Sequence, residues 1–292
     1  MIFGKITNLV LNRYKKGDIF DNEYEVGDCL GEGSFGDVFA GTRISNGASL
    51  SIKRVAKTQT AMWTRLLGKR VPMELRLLLT VQDVDGVIKL LDFAERKDYF
   101  IYVMERPKGC MDLLHFLRNR IYLEESQARD FFRQFVETVL DCHDRGVIHR
   151  DIKHKNILVD RNMKLKLIDF GSGTLVHDDT EEFTVFEGTK MFAAPECQPE
   201  DCSYQGGPST VWTLGMLLYC MVCGDIPWHK EADILSCKLV FPFPLSAELE
   251  DLIACCLTRS VLDRINIRDI LQHPWMIPPP PPGRMTRARL RS

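Results

Sequence analysis

The chain has 292 residues, 45% of them hydrophobic, with 38 basic and 40 acidic side chains and a formal net charge of −2. An apolar share of that size builds a core, which excludes a chain disordered throughout, and the near-neutral total offers no overall attraction to nucleic acid or an anionic membrane. Ten cysteines are too sparse for a disulfide scaffold.

Residues 1–23 show no clear periodicity and read as an N-terminal extension. Residues 24–30, 37–43 and 48–55 are short β-prone runs broken by Gly and Asn, the pattern of antiparallel strands joined by tight turns. Residues 71–82 read as a helix, and 87–93 and 99–105 as two further strands. After Pro107 the pattern turns helical. Phe131, Phe135 and Val139, like Phe132, Val136 and Leu140, recur at i, i+4, i+8 and predict a helix over about 126–143. Two short strands, 157–160 and 164–169, turn at 161–163, and helices follow near 211–222, 247–257 and 267–273. The layout is a small β-rich lobe (24–105), a join (105–109) and a large helical lobe (110–277), forming one domain over 24–277.

Cys220 and Cys223 have metal-ligand spacing but sit in an apolar run without a second such pair, so they read as reduced core residues. That run, 211–223, is shorter than the roughly 20 residues of a membrane span. The first residues lack a signal-peptide pattern and Gly4 is not at position 2, so neither a secretory leader nor a myristoyl anchor is expected. The expected location is cytoplasmic, with the nucleus as a second compartment. The prolines from Pro278 to Pro282 favour polyproline II and open a tail, 278–292, with four arginines between 284 and 292.

Gly31-Glu-Gly33-Ser34-Phe35-Gly36-Asp-Val38 fits GxGxxGxV. Glycines also serve ordinary hairpins, and a dinucleotide fingerprint needs a helix directly afterwards, whereas Val38-Phe39-Ala40 reads as a second strand. A Gly loop between two strands is the arrangement that lets bare backbone approach nucleotide phosphates in protein kinases. Ser51-Ile-Lys53, His149-Arg150-Asp151-Ile-Lys153-His154-Lys155-Asn156, Asp169-Phe170-Gly171 and Ala194-Pro195-Glu196 then follow in order, each on the element the kinase pattern demands.

The set resembles protein kinases. The resemblance implies an α+β, two-lobed kinase fold: a small antiparallel β-sheet lobe with one main helix, then a large, mainly α-helical lobe. It implies ATP and Mg²⁺ as cofactors and protein substrates bearing Ser or Thr. Phosphoryl transfer is largely charge neutralisation and alignment. Lys53 would hold the α and β phosphates, fixed by Glu74, which follows Pro72 in a helical first turn; a solvated first-turn acid is the plainer reading of Glu74. Asp151 would take or orient the substrate hydroxyl proton, and Lys153 would reach the transferred phosphate. Thr189 would bond the Asp/Lys pair. Asn156 and Asp169 would hold Mg²⁺ through oxygen ligands. The nucleotide would meet Leu30, Gly31, Gly33, Ser34, Phe35, Gly36, Val38, Ser51, Lys53, Met104, Glu105, Leu158, Ile168 and Asp169. Glu196 and Arg264 resemble the buried ion pair that anchors the activation segment.

Glu105-Arg106-Pro107 puts a residue without an N–H in the hinge. That triplet, Arg70-Val-Pro-Met-Glu74, Leu167-Ile-Asp-Phe-Gly-Ser-Gly173, Val211-Trp212 with Thr210 in place of Asp, and Met221-Val-Cys-Gly-Asp-Ile-Pro227 resemble the PIM serine/threonine kinases. Lys153 agrees with serine/threonine specificity. The resemblance implies activity without activation-loop phosphorylation. One of Asp178, Asp179, Glu181, Glu182 and Glu187 is expected to pair with Arg150 in place of a phosphate.

Relatives in that family favour Arg or Lys upstream of the target serine. Here His154 and Lys155 replace an Asp-Glu pair, and His115 replaces an acid, while Asp112 is kept. A weakened or altered preference for basic substrates is expected. Ser51 stands where Ala is usual, and Met104 at the gatekeeper position would narrow access behind adenine. A pseudokinase scaffold, binding nucleotide without efficient transfer, is the alternative; its only grounds are Thr210, His154 and Lys155. An SH3- or WW-type partner for Pro278–Pro282 would account for the tail alone. A monomer is expected.

Overall fold

The computed structural model describes residues 20–33, 36–178, 180–199 and 201–277. Ser34, Phe35, Asp179, residues 1–19 and the whole tail 278–292 lie outside the described residues, together with the expectations attached to them.

A helical turn α1 (Phe20–Glu23) leads into β1 (Tyr24–Gly33), β2 (Gly36–Arg43) and β3 (Ala48–Ala56), which pair antiparallel with β6 (Leu90–Glu95) and β7 (Tyr99–Glu105) in the order β1-β2-β3-β7-β6. The period-2 geometry of a strand splits the apolar residues between two faces. Leu50, Ile52, Ile101 and Val103 lie on the outer face under Phe20 and Tyr24. Val55, Phe100, Tyr102 and Met104 lie on the inner face and join the main core. Lys53 shares that inner face, directly across from Tyr102, so strand parity alone aims it at the cleft.

A hairpin absent from the sequence reading, β4 (Trp63–Leu66) with β5 (Lys69–Pro72), precedes α2 (Met73–Thr80). Its Trp63 packs edge-on against Phe100 at 6.1 Å, with the Arg70 guanidinium 4.3 Å above it. Residues expected to open the helix pair instead with β4, so α2 starts two residues late, and Arg76 ties it back to the hairpin through Thr64 Oγ1 and the Arg65 carbonyl, both at 3.1 Å. Val87 likewise leaves the predicted strand to form a parallel bridge to Leu167. Ile88 N–H donates to the Leu167 carbonyl and Leu167 N–H to the Gly86 carbonyl, stitching the small lobe to the large one.

In the large lobe, β8 (Met111–Asp112) and α3 (Leu113–Arg118) follow the join, then α4 (Glu125–His143) on the predicted 3.6-residue stripe. Strands β9 (Val147–Ile148), β10 (Ile157–Val159), β11 (Leu165–Leu167) and β12 (Thr174–Leu175) frame the floor of the cleft, and β13 (Glu182–Phe183) pairs with β14 (Tyr204–Gln205). The strand expected over 164–169 stops at Leu167 because Asp169 turns into left-handed backbone, φ 63°. Helix α5 (Gly206–Cys223) is apolar all round and almost wholly buried, the centre of the lobe. It begins five residues before the apolar run because Gly206, Gly207 and Pro208 are admitted in a first turn, where N–H groups lack helical partners.

Helices α6 (Glu231–Ser236), α7 (Ala247–Cys256) and α8 (Ile267–Ile270) complete the domain. The last ends three residues early, where the His273 side chain accepts from Trp275 N–H ahead of a short turn opened by Pro274. Trp275 and Met276 are buried and Ile277 exposed. Among the described residues no helix is long and apolar enough to cross a membrane.

Arg264 locks the activation segment to this core. It donates to Glu196 Oε1 at 2.6 Å and Oε2 at 2.9 Å, and to the Pro208 carbonyl at 2.8 Å, while lying over Trp212. Its side chain is 1% exposed. Glu196→Ala should therefore leave an uncompensated buried guanidinium and lower stability by about 3–5 kcal/mol in chemical denaturation.

Candidate active site

One cleft of about 960 Å³ between the lobes is lined by every described residue expected to meet nucleotide, from Leu30 and Gly31 on the roof through Met104 and Glu105 at the join to Leu158, Ile168 and Asp169 on the floor. Gly36 shapes the roof. It has φ 128°, and a Cβ there would stand 2.1 Å from the Arg54 carbonyl, a fit available only to glycine. Ser51 uses its hydroxyl to donate to the Glu105 carbonyl at 3.3 Å, so the Ala-to-Ser departure is absorbed locally. Glu105 in turn accepts from Lys89 N–H at 2.9 Å and pairs with Lys166 at 3.0 Å, bracing the join from both lobes.

At the back of the cleft Lys53 Nζ lies 2.5 Å from Glu74 Oε1 and 2.8 Å from Asp169 Oδ1. Lys53 and Glu74 are only 5% and 6% exposed, so Glu74 is no solvated first-turn acid. Burial works against the ammonium, but the two carboxylates outweigh it and hold Lys53 above its usual range. Burial also pushes at Asp169, and the Lys53 charge overrides it to keep that carboxyl below the usual carboxylate range.

On the floor Asp151 is held on both oxygens. Oδ1 accepts from Thr189 N–H at 3.0 Å and Thr189 Oγ1 at 2.8 Å, and Oδ2 accepts from Lys153 Nζ at 2.7 Å and Asn156 Nδ2 at 3.0 Å. Lys153 also donates to Thr189 Oγ1 at 2.6 Å. All six residues expected to take part in catalysis thus meet in two networks. Asn156 spends its amide hydrogens on Asp151, including the Asp151 carbonyl at 2.8 Å, which leaves its side-chain oxygen for another partner such as a cation. With the Asp169 carboxylate it makes a hard-oxygen pair that suits Mg²⁺.

His149 supports the floor. Its Nδ1 accepts from Asp151 N–H at 3.2 Å, which leaves Nε2–H to donate to the Ile168 carbonyl at 2.9 Å. Burial holds it below the usual histidine range, and its ring meets Phe170 edge-on at 4.7 Å. Sequence reasoning placed His149 and Phe170 only as motif letters. It missed Leu78, Ile88, Cys110 and Arg118, which also line the cleft; Leu78 was reachable, one helical turn after Glu74 on the same face.

Arg150 pairs with none of Asp178, Glu181, Glu182 and Glu187; Asp179, the fifth acid expected to pair with it, lies outside the described residues. Its Nε donates to the Ser172 carbonyl at 2.7 Å and its Nη2 to Met62 Sδ at 3.3 Å, and its guanidinium lies 5.4 Å from the Phe183 ring centre. Asp178 instead caps Thr180, Glu181 accepts from His177 N–H, and Glu182 from the Ser203 hydroxyl. His154, expected as a basic or titratable group in the cleft, is a half-buried ring packed edge-on against Phe192 at 5.4 Å. Its Nδ1 has no hydrogen-bond partner. Burial first, and the neighbouring Lys155 charge second, lower its pKa to about 4, so it is neutral at physiological pH.

Elsewhere, Asp251, Cys255 and His273 bring metal-type ligand atoms together. His273 is committed there, accepting from Trp275 N–H on Nδ1 as the cap of the turn Pro274–Met276 and donating to Asp251 from Nε2.

The protein kinase domain family model matches residues 24–276. The serine/threonine-protein kinase pim-2 of Danio rerio is 40% identical over 286 residues, 94% of this chain and 91% of that one. Serine/threonine-protein kinase prk-2 of Caenorhabditis elegans is 37% identical over 88% of this chain and 59% of its own length. Sperm motility kinase 2B of Mus musculus is 33% identical over 88% and 52% respectively.

Because the folded His154 pKa of about 4 lies below its ordinary 6.5, the unfolded chain binds more protons between those values. The stability held above pH 6.5 should fall as pH drops through that window. In urea titrations across it, His154→Phe should show a shallower loss than wild type, with His149 supplying the remaining slope.

Proposed function

The chain belongs to the protein kinase family, as a PIM-like serine/threonine kinase, and from that premise we propose how its side chains divide the reaction. The observation that carries the proposal is the coexistence of the buried Lys53–Glu74–Asp169 group with the fully bonded Asp151–Lys153–Thr189–Asn156 network. Lys53 binds the α and β phosphates of ATP and is oriented by Glu74. Asn156 and Asp169 would hold Mg²⁺, which would supply neutralisation of charge on the phosphoryl oxygens. Asp151 orients the substrate hydroxyl and accepts its proton while the new O–P bond forms and the bond to the ADP oxygen breaks. Lys153, beside Asp151, meets the transferred phosphoryl group, and Thr189 fixes both.

Activity without activation-loop phosphorylation is part of the same proposal. What supports it is that Arg150, the group a phosphate would engage, already bonds the Ser172 carbonyl and Met62 Sδ and lies against the Phe183 ring. Substrate choice departs from a basic preference because Lys155 is exposed on the cleft where relatives of this family carry an acid. Neutral His154 takes no part in that repulsion.

Phosphotransfer from Mg-ATP to a peptide library should be readily measured for wild type and fall by about 10²–10⁴-fold in Asp151→Asn. Lys53→Met should be comparably inactive. Wild-type rates in either variant would overturn the assignment. Phosphatase-treated enzyme should keep most of its activity; loss of most of it would refute phosphate-independent activation. Lys155→Glu should raise turnover of peptides with upstream arginine.

A further inference from the structure

The mouth of the cleft carries charge that the chemistry above does not use. Helix α3 packs against the turn His154–Asn156, and β8 pairs with β10 through Asp112 and Leu158, so the two segments open side by side on the cleft that holds Asp151. Inside the cleft each charge is matched: Lys53 by Glu74 and Asp169, Lys153 by Asp151, and Glu105 by Lys166. Three lining cations, Arg106, Arg118 and Lys155, have no ion-pair partner among the described residues, and Arg118 and Lys155 are exposed. Against them stand Glu32 on the roof and Asp112. Asp112 is partly spent, since its Oδ1 accepts from His115 N–H at 2.8 Å as the cap of α3.

We propose that Arg118 and Lys155, assisted by Arg106, select substrates whose target serine or threonine is flanked on its upstream side by acidic groups, either carboxylate side chains or a phosphorylated residue. This rests on the kinase reading of the cleft and deepens it: the basic preference is replaced by its opposite and not merely weakened. A flanking arginine meets like charge, while a carboxylate or phosphate meets two unpaired cations beside low-dielectric walls, where the field is strongest. The guanidinium of Arg118 presents a fork that suits bidentate bonding to either group.

The full chain, with Mg-ATP, is offered peptides identical except for arginine, glutamate or phosphoserine at successive upstream positions. Alanine versions of the same peptides, labelled with a fluorophore, report binding by anisotropy without any turnover. Glutamate or phosphoserine peptides should bind and react about tenfold better than arginine peptides at low salt, an advantage that shrinks as salt rises. Arg118→Glu/Lys155→Glu should reverse the order with an unchanged melting temperature, since both side chains are on the surface. Phosphoserine above glutamate would identify a phosphate-primed substrate, and equality a simple acidic one; both support the proposal. Acid-selective binding with no phosphorylation of any peptide would uphold it and overturn the kinase reading instead. Arginine peptides binding as well as or better than acidic ones, or an order unmoved by the double variant, would overturn it.

Discussion

The structure depends on one buried charge group, Lys53 between Glu74 and Asp169. Each member comes from a different part of the chain: a central strand of the small lobe, the first turn of its helix, and the loop after the last floor strand. A buried ammonium without compensation would shed its proton or open the site to water. Two carboxylates at 2.5 and 2.8 Å hold it charged, and in doing so fix the distance between lobes and the position of α2. The hairpin β4–β5 acts on the same point from outside. Arg76 of α2 is tied to it, and its Trp63 is wedged against Phe100, so the helix that carries Glu74 is clamped on both sides.

The floor reaches rigidity by a different route, which bears on Thr210. A carboxylate there would accept hydrogen bonds from the catalytic-loop backbone. Thr210 instead turns its hydroxyl back to the Gly206 carbonyl of its own helix, at 2.7 Å, and is buried. The loop is then held by its own side chains. His149 takes the Asp151 N–H and bonds the Ile168 carbonyl, and Asn156 takes the Asp151 carbonyl. Left-handed backbone at Arg150 and Asp169, with φ of 61° and 63°, marks where this arrangement forces the chain into sparsely populated conformations. That strain is sustained because the surrounding bonds over-determine the loop without Thr210.

Residues that act through fixed spacing were legible in the sequence. The glycine loop, Lys53, the catalytic loop and Asp169 carry their identity in local patterns, and their described residues meet at one cleft. What escaped is set by contacts between distant segments. The β4–β5 hairpin has no strong alternation, and its pairing is held by Trp63 reaching Phe100, 37 positions on in the sequence. Helix α3 is six residues long, too short for a periodic signal, and is nucleated by the Asp112 cap. The charge of His154 was misjudged because it depends on what packs around the ring, here Phe192, and composition records only that the charge-bearing residue exists.

The same distinction governs the net charge of −2. Averaged over the chain it is uninformative, because Asp178, Glu181 and Glu182 are consumed locally by turns and by Ser203, and Glu74, Asp151, Asp169 and Glu105 of the cleft by Lys53, Lys153 and Lys166. An acid satisfied by a neighbour contributes little field at a distance, whereas an unpaired cation at a cleft mouth contributes most of its own. Specificity in a charge-reading enzyme is therefore decided by which charges are left over after folding. Here the remainder at the cleft mouth is Arg106, Arg118 and Lys155 against Glu32 and a partly spent Asp112, and its sign is opposite to that of the chain that carries it.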